Sequence, residues 1–407
     1  MQNSNLTNRA ISVRRRSTEQ RIDWWIVFTV IGFMIIGFVS LALSFYAQTG
    51  AVPIRTMVVQ LVWWTIGWIA ALILMRLDAE SLYRISLWAY GVGIFLLVAV
   101  LFLYNRGLAA STGARSWFAF GGFTFQPSEV MKPAFILMLS KVIYDHNQKY
   151  PTHSLKTDWV LIGRLLLFTV PVLVLMLLQR DFGTMLVFVA IFVGMVFVGG
   201  ISTRIVIPAL LGFAFVAIAT LFAVATVGGR SLLMRIGFQS YQFARIDSWL
   251  NPAGDTSADS YQLMQSIKAI GSGRLFGNGI FGMKVNVPVR SSDMIFSTIG
   301  EAFGFLGGVL VIVLFLFFFY LLIRRVFDTR NSFYAYVVTG VIMMIMFHVF
   351  ENIGMTIGLL PLTGIPLPFI SQGGSALLAN MIGVGLTMSM TYHNVESSFA
   401  TRKGGFQ

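Results

Sequence analysis

Apolar runs, each about as long as a bilayer is thick, follow one another along most of the chain and are separated by polar segments. A helix needs about 20 mostly apolar residues to cross the hydrocarbon core of a membrane. The pattern predicts ten such helices, at 24–46, 57–76, 84–105, 129–145, 159–179, 182–201, 204–227, 302–323, 333–357 and 375–394. The chain is therefore expected to be an all-α, polytopic integral membrane protein.

Composition supports this fold class and excludes several kinds of chemistry. The 407 residues are 57% hydrophobic and only 11% charged, whereas soluble domains are about 25% charged. The absence of cysteine excludes a disulfide framework, a thiolate nucleophile and a cysteine-ligated metal. The net charge of +13 is explained by basic residues in cytoplasmic loops, which orient membrane proteins, so nucleic acid is not expected as a partner.

Lysine and arginine are distributed unequally between the two sets of short loops that connect the predicted helices. The set that includes the N-terminal segment carries most of them and is expected to be cytoplasmic. The sequence thus predicts a disordered cytoplasmic tail at 1–22, a transmembrane domain at 23–396 and a second cytoplasmic tail at 397–407. The domain contains one large extracytoplasmic loop at 228–292, called the outer loop below.

Asp293 closes the outer loop and begins an apolar run, so it is expected at the boundary between water and lipid. Ionisable groups in or near the membrane are costly and usually mark a function or a paired charge. Half-burial would raise the pKa of Asp293 toward the range in which a general base works. Glu301 follows eight residues later and is expected to share a helical face with Asp293.

Other charged or polar residues are predicted within the membrane or at helix ends. Glu129 and Lys132 lie on one helical face, either as an intramembrane ion pair or as a pair that lines a substrate site, and the two interpretations are compatible. Asp181 is expected to cap a helix or to have a structural role in a cavity. His348 and Glu351 are expected to have packing and hydrogen-bonding roles.

The outer loop is basic for a reason other than topology, because long loops are translocated regardless of their charge. Its charged residues are Arg230, Arg235, Arg245, Lys268, Arg274, Lys284 and Arg290 against Asp247, Asp255 and Asp259. With the glycines at 271–279, these cations suit a pyrophosphate group. The alternative is a basic loop that rests on anionic lipid headgroups. Asp247 and Asp259 are candidate ligands of a divalent cation.

Two further polar clusters are predicted on the same side of the membrane. In the segment 111–129, Trp117 is either an interfacial anchor or a stacking surface for a sugar. The segment 360–375 contains three prolines and three glycines. Such irregular backbone is tolerated at membrane depth only where it is buried in protein or lines a cavity.

Several motifs resemble those of the SEDS family, the shape, elongation, division and sporulation proteins that include RodA and FtsW. The motifs are Ala114-Arg-Ser-Trp117, Phe125-Gln-Pro-Ser-Glu129 with Lys132, Asp181-Phe-Gly-Thr184, Tyr261-Gln262 with Gln265-Ser266, Ala269-Ile-Gly-Ser-Gly273, Asp293-Met-Ile-Phe296, and Gly364-Ile-Pro-Leu-Pro368 with Ser371 and Gly373-Gly-Ser375. They run in order along nearly the whole chain after the N-terminal tail. The segment from Asn352 to Gly364 is more similar to the RodA branch.

The resemblance implies ten transmembrane helices and a peptidoglycan glycosyltransferase that polymerises lipid II at the outer face of the cytoplasmic membrane. The essential aspartate of the family falls on Asp293. The intramembrane glutamate and lysine of the family fall on Glu129 and Lys132, and its functional tryptophan falls on Trp117. These three residues are expected to contact the substrate, together with Arg115, Gln262 and Ser266 of the matched motifs. A class B penicillin-binding protein is implied as the transpeptidase partner, together with other cell-wall elongation or division proteins and membrane lipids.

The chain departs from the family pattern close to Asp293. Relatives usually read Pro-Glu-x-His-Thr before the aspartate, whereas this chain reads Pro288-Val-Arg-Ser-Ser292 and lacks the glutamate and the histidine. Family roles of the missing groups are therefore not carried over. Asp293 is expected to work with different neighbours, of which Arg290 is the nearest charged candidate.

The resulting hypothesis makes Asp293 the general base that deprotonates the acceptor sugar, with inversion at the donor and loss of undecaprenyl pyrophosphate. The leaving group would be met by Lys268, Arg274 or Arg290 and by a divalent cation, Mg²⁺ or Mn²⁺, for which the sequence predicts no definite site. A role in cell elongation and shape is favoured. The alternatives are a division-specific polymerase of the FtsW type, a flippase for a lipid-linked precursor and a non-catalytic scaffold for cell-wall enzymes.

Overall fold

The computed structural model describes residues 22–120, 123–235, 240–252 and 257–400. Asp255 and the basic residues of both predicted tails lie outside the described residues, so what the sequence predicts for them stays a prediction. In chain order the elements are α1 (Trp24–Thr49), α2 (Ile54–Arg76), α3 (Ala79–Leu103), α4 (Arg106–Thr112), β1 (Phe118–Phe120), β2 (Phe123–Phe125), α5 (Pro127–Lys149), α6 (Leu155–Gln179), α7 (Phe182–Val198), α8 (Thr203–Val224), α9 (Val227–Arg235), α10 (Ser240–Leu250), α11 (Ala258–Ser272), α12 (Ile295–Asp328), α13 (Ser332–Thr356) and α14 (Ser375–Ala400).

Each of the ten apolar segments predicted from the sequence falls on one of the long helices. Within the described residues, seven helices are long and apolar enough to cross a membrane, namely α1, α2, α3, α6, α8, α12 and α13. Helix α7 is apolar but shorter, and α5 and α14 contain more polar residues. The prediction of an all-α, polytopic membrane protein is confirmed, whereas the number of ten crossings stays a prediction.

Helices α5 and α13 lie at the centre of the bundle. Helix α13 packs against α5, α7, α12 and α14, and α5 packs in addition against α3 and α6. Most of their residues are buried, as expected for helices surrounded by protein. Helix α8 is the opposite case, because its apolar surface is almost entirely exposed and its contacts are with α9 and α10. A surface of that kind is suited to lipid.

Helix α12 is interrupted at Gly304, whose backbone has φ +66°. The segment 273–279 inserts at this break and satisfies the backbone groups that the helix leaves free. The four hydrogen bonds run from the N–H of Phe305 to Arg274 O, of Leu306 to Leu275 O, of Asn278 to Glu301 O and of Gly279 to Ala302 O. The predicted span at 302–323 lies within α12, and the helix begins earlier, at Ile295, with a part that packs against α11.

The connections predicted on the outer side meet at one end of the bundle. Helices α5, α12 and α14 begin at this end and α13 ends there, which brings the β1–β2 hairpin, the end of the outer loop and the loop 357–374 together. Helix α1 begins at the opposite end of the bundle. Asp23, directly before α1, forms an ion pair with Arg325 in the last turns of α12, and α12 starts at the first end. This relative placement is as predicted, and which end faces the cytoplasm stays a prediction.

Candidate active site

Asp293 lies in the turn 288–294, directly before the first turn of α12. The residue is half-buried. The Oδ2 atom lies against Gly364, 3.4 Å from the position that a Cβ atom would occupy on that glycine. The carboxylate therefore sits between the start of a helix and the 357–374 loop.

Hydrogen bonds from α13 and from the loop after it hold this turn in place. Nδ2 of Asn352 donates to the carbonyl oxygen of Asp293 at 2.7 Å and to that of Ile365 at 2.8 Å. The hydroxyl of Ser371 donates to the carbonyl oxygen of Ser292 at 2.6 Å. Buried polar groups that are satisfied in this way favour one backbone conformation, so the position of Asp293 is set by two separate elements.

The environment of Asp293 changes its acidity. Burial raises the pKa of Asp293 from 3.8 to about 6, while a hydrogen bond from Ser292 and the positive charge of Arg245 act in the opposite direction. Arg245 belongs to α10, and its Nη1 donates to the carbonyl oxygen of Thr363 at 3.4 Å. A carboxylate with this pKa is ionised at neutral pH and is more basic than an ordinary aspartate, which suits a general base. The half-burial expected from the sequence is observed at this residue, and burial acts on its pKa in the expected direction.

A buried ion pair lies between the outer loop and α12. Nη2 of Arg290 pairs with Oε2 of Glu301, and the two side chains are 1% and 0% exposed. Oε1 of Glu301 accepts hydrogen bonds from the backbone N–H groups of Lys284 and Val285 at 2.8 and 3.1 Å. Nη1 of Arg290 donates to the carbonyl oxygen of Val285 at 3.2 Å. The pair thus fastens the end of the outer loop to the helix.

These contacts bear on two predictions. The sequence predicts that Arg290 meets the leaving group, but its guanidinium is buried and paired, which argues against that role. The prediction that Glu301 shares a helical face with Asp293 is wrong, because α12 begins at Ile295 and Asp293 lies in the turn before it. Arg245 is a charged residue that acts on Asp293, and no local pattern predicted this contact.

Lys268 and Arg274 are both exposed and so remain accessible to an anionic ligand. Two of the glycines near them, Gly273 and Gly277, have a packing role that the sequence did not reveal. A Cβ atom on Gly273 would overlap the carbonyl oxygen of Gly300, and Gly277 approaches the backbone of α12 equally closely. These glycines are therefore explained by the close contact between the loop and the helix, without a phosphate.

The 357–374 loop is packed among helices from several parts of the chain. Gly183 in α7 allows the carbonyl oxygen of Thr363 to approach closely, and Gly37 in α1 does the same for the carbonyl oxygen of Phe369. The stretch 367–371 is buried. Irregular backbone at membrane depth needs protein around it or a cavity beside it, and of these two predicted alternatives the stretch 367–371 follows the first.

Asp181 connects the β1–β2 hairpin to α7. Its Oδ1 accepts from the N–H of Thr184 at 3.1 Å, as an N-cap does. Its Oδ2 accepts from Nε2 of Gln126 at 2.8 Å, and the N–H of Gln126 donates to Oγ of Ser375 at 2.9 Å. The capping role predicted for Asp181 is confirmed, and the same carboxylate helps to join three elements.

A second group of ionisable side chains is buried where α5 meets α13. Nζ of Lys132 lies 2.7 Å from Oε1 of Glu129 and 2.9 Å from Nε2 of His348. Nδ1 of His348 lies 2.6 Å from the carbonyl oxygen of Met344. Nδ1 therefore carries the hydrogen, and Nε2 accepts from the lysine ammonium group. The predicted ion pair is confirmed, His348 is an additional partner, and a substrate-lining role for the pair stays a prediction.

The other predicted substrate contacts have different surroundings. Arg115 is exposed, and its guanidinium carbon lies 5.4 Å from the centre of a neighbouring tyrosine ring. Trp117 and Gln262 are half-buried, and their substrate roles stay predictions. Ser266 is buried, and its hydroxyl donates to the carbonyl oxygen of Thr356 at 2.7 Å, so its contact ties α11 to α13.

A group of three or more His, Cys, Asp or Glu side chains that could hold a metal ion is absent from the part of the chain that the structure describes. Of the two predicted ligands, Asp247 pairs with Arg230 and Asp259 lies in the first turn of α11. The described residues do not fit a protein cage for a divalent cation. Mg²⁺ is often held mainly by substrate phosphates and water, and that mode needs no such cage.

Comparisons with known proteins agree with this arrangement. The family model of the FtsW, RodA and SpoVE cell cycle proteins matches residues 21–396. Stage V sporulation protein E of Bacillus subtilis (strain 168) is 32% identical over 82% of this chain and 86% of that protein. Peptidoglycan glycosyltransferase RodA of Treponema pallidum (strain Nichols) is 29% identical over 90% and 97%, respectively. A chain of a solved peptidoglycan synthase complex that coordinates polymerization and crosslinking matches with a TM-score of 0.74 and 26% identity, over 91% of this chain and 97% of that chain.

Proposed function

The chain belongs to the family of FtsW, RodA and SpoVE cell cycle proteins, and we propose that it is a peptidoglycan glycosyltransferase of the RodA type that polymerises lipid II. A relative that matches nearly its whole length is named for this activity. The observation that carries the proposal within this chain is Asp293, a half-buried carboxylate with a raised pKa at one end of a membrane-spanning bundle.

In the proposed reaction Asp293 acts as the general base. Its carboxylate takes the proton of the acceptor sugar hydroxyl while the hydroxyl oxygen attacks the anomeric carbon of the donor sugar. The bond from that carbon to the phosphate oxygen breaks, and its electron pair leaves with undecaprenyl pyrophosphate. Attack and departure occur on opposite faces of the carbon, so its configuration is inverted. Asp293 then releases the proton to water.

The position of the carboxylate suits a substrate with a polar head and a long lipid tail. Asp293 lies just before α12, and the apolar side chains of Phe305, Leu306 and Leu310 on that helix are exposed. A lipid tail would lie along such a surface while the sugars stay in water. This arrangement explains why the reactive group is at the boundary of the bundle and not at its centre.

We propose that Lys268 and Arg274 attract the pyrophosphate, because both are exposed and positively charged. We further propose that a divalent cation, Mg²⁺ or Mn²⁺, accompanies the substrate through its phosphate oxygens and neutralises charge on the leaving group. Removal of divalent cations with EDTA should then lower polymer formation, and addition of Mg²⁺ should restore it.

We propose that the protein resides in the cytoplasmic membrane, with Asp293 on the extracytoplasmic side, and works with a class B penicillin-binding protein. The solved relative is part of a peptidoglycan synthase complex, and a polymerase needs a transpeptidase to crosslink its product. The distribution of lysine and arginine between the two sets of loops supports this orientation.

The test is polymerisation of labelled lipid II by the purified protein in detergent. Asp293→Asn keeps the shape of the side chain but removes the base, so the rate should fall by about 100-fold or more. The control is Glu80→Gln, an exposed position in the first turn of α3. This variant should match the wild type. Polymer formation by Asp293→Asn at the rate of the control would contradict the proposal.

A lipid-linked precursor flippase is the second candidate, and the buried Glu129–Lys132–His348 cluster favours it, because transporters often carry paired ionisable groups in the membrane. The same detergent assay separates the two functions. A flippase has no bilayer to act across in detergent and makes no glycan polymer, whereas a polymerase does.

A further inference from the structure

We propose that the Arg290–Glu301 ion pair is a positioning device for Asp293, which fastens the turn 288–294 to the first part of α12 and so holds the carboxylate in its reactive place. This inference rests on the proposed function, because it takes Asp293 to be the general base. It replaces the prediction that Arg290 contacts the leaving group.

The two members of the pair lie on either side of Asp293 in the sequence. Arg290 lies three residues before Asp293, and Glu301 lies eight residues after it. When the two side chains meet, the backbone between them is closed into a short loop. Glu301 is itself fixed from two directions, because its carboxylate binds the N–H groups of 284 and 285, and its carbonyl oxygen accepts from Asn278 at 2.9 Å.

Two buried charges at this place suit a role in positioning the turn better than a role in stabilising the fold. Both side chains are almost completely buried, and Nε of Arg290 has no hydrogen-bond partner among the described residues. Apolar residues of similar volume often stabilise a buried site as well as an ion pair does, because burying charges requires their dehydration. What the ion pair adds is directionality, since the carboxylate and the guanidinium define where the loop must lie.

The backbone of the turn needs such an anchor. Val289 has φ +51°, an unfavourable conformation for a β-branched residue. Backbone of this kind persists only where its surroundings determine it. Arg290 fixes the turn from one side, while Asn352 and Ser371 hold its other side at Asp293 and Ser292. Loss of the Arg290 contact would let the turn relax and move the carboxylate.

The first test is a set of single variants assayed for kcat and KM in lipid II polymerisation. Arg290→Gln should lower kcat by about 10-fold or more with KM within about threefold, because a displaced base slows chemistry but not binding. Arg290→Lys keeps the charge and should recover part of kcat. Arg84→Gln, in the exposed pair with Glu80, is the matched control and should differ from wild type by less than about twofold.

The second test separates positioning from folding stability. The double variant Arg290→Met with Glu301→Gln leaves no unpaired charge, keeps an acceptor for the N–H groups of 284 and 285 and fills a similar volume, so it should unfold at about the wild-type temperature. It lacks the ion pair between the turn 288–294 and α12, and its kcat should still be lowered by about 10-fold or more. This variant also decides the matter if Arg290→Gln does not fold.

The outcomes distinguish this inference from the proposed function. A stable double variant with wild-type kcat would overturn the positioning role. A raised KM with unchanged kcat would overturn it in favour of a substrate contact. If Asp293→Asn is inactive while Arg290→Gln and the double variant are fully active, only the positioning role falls. If Asp293→Asn is fully active, both the proposed function and the positioning role fall.

Discussion

Asp293 and the Glu129–Lys132–His348 cluster both place ionisable groups in an apolar bundle, but their surroundings are opposite. Lys132 and Glu129 are buried and paired at 2.7 Å in the contact between two central helices. Asp293 is half-buried in a turn at the end of the bundle, and its pKa is raised to about 6. A paired, buried charge joins two helices, whereas a half-buried aspartate with a raised pKa at the end of the bundle suits chemistry.

The largest expected effect is on stability at the buried cluster. Lys132→Met leaves the Glu129 carboxylate buried without its cation, which should lower the free energy of unfolding by about 3–5 kcal/mol. Thermal unfolding in detergent measures this. Asp293→Asn is the matched variant at the other region. Burial disfavours the ionised form of Asp293, and this form prevails above pH about 6. The neutral asparagine avoids that cost, so the variant should unfold at the wild-type temperature or higher at neutral pH. If Lys132→Met and the wild type unfolded at the same temperature, the stabilising role of the buried cluster would be contradicted.

A smaller effect is expected at Gly273, which lies near the proposed site but packs against the backbone of α12. Gly273→Ala should lower the free energy of unfolding by about 1–3 kcal/mol, because the added methyl group overlaps the carbonyl oxygen of Gly300. KM for lipid II should stay unchanged in the folded fraction. Gly271→Ala is the control, since a Cβ atom there meets open space. A raised KM with normal stability would instead assign Gly273 to the pyrophosphate.

The smallest effect is expected at Arg245, whose positive charge lowers the pKa of Asp293. Arg245→Gln removes that charge, so the pKa of Asp293 should rise further. A base works only when it is deprotonated, so the acidic limb of the pH–rate profile should move to higher pH. At pH about 8 the variant and the wild type should agree within about threefold, because Asp293 is ionised in both. A limb that does not move would mean that Arg245 does not act on the base.

The sequence predicted those parts of the fold and site that local patterns determine. Apolar runs located the long helices, and the scarcity of acids at membrane depth singled out Asp293 and Glu129. Contacts between distant residues were not predictable, because loop residues have no periodicity that reports their partners. Asn352 and Asp293 are 59 positions apart, and Arg245 reaches the loop 118 positions away.

Two local features were also missed, for physical reasons. The break in α12 is satisfied by a loop that precedes it in the chain, so the sequence around Gly304 reads as a single apolar run with a polar start. A glycine such as Gly273 shows that a close approach is needed, but not whether a ligand or another backbone approaches. The same ambiguity applied to Arg290, whose charge suited a pyrophosphate until its pairing with Glu301 was seen.

The most direct test of the central claim is the pH dependence of kcat/KM for lipid II polymerisation by the wild-type protein. If Asp293 is the general base, kcat/KM should fall about tenfold per pH unit below the pKa of Asp293, which is about 6. The residual activity of Asp293→Asn should lack this limb. A wild-type profile that stays flat well below pH 6, or an identical limb in Asp293→Asn, would contradict the account.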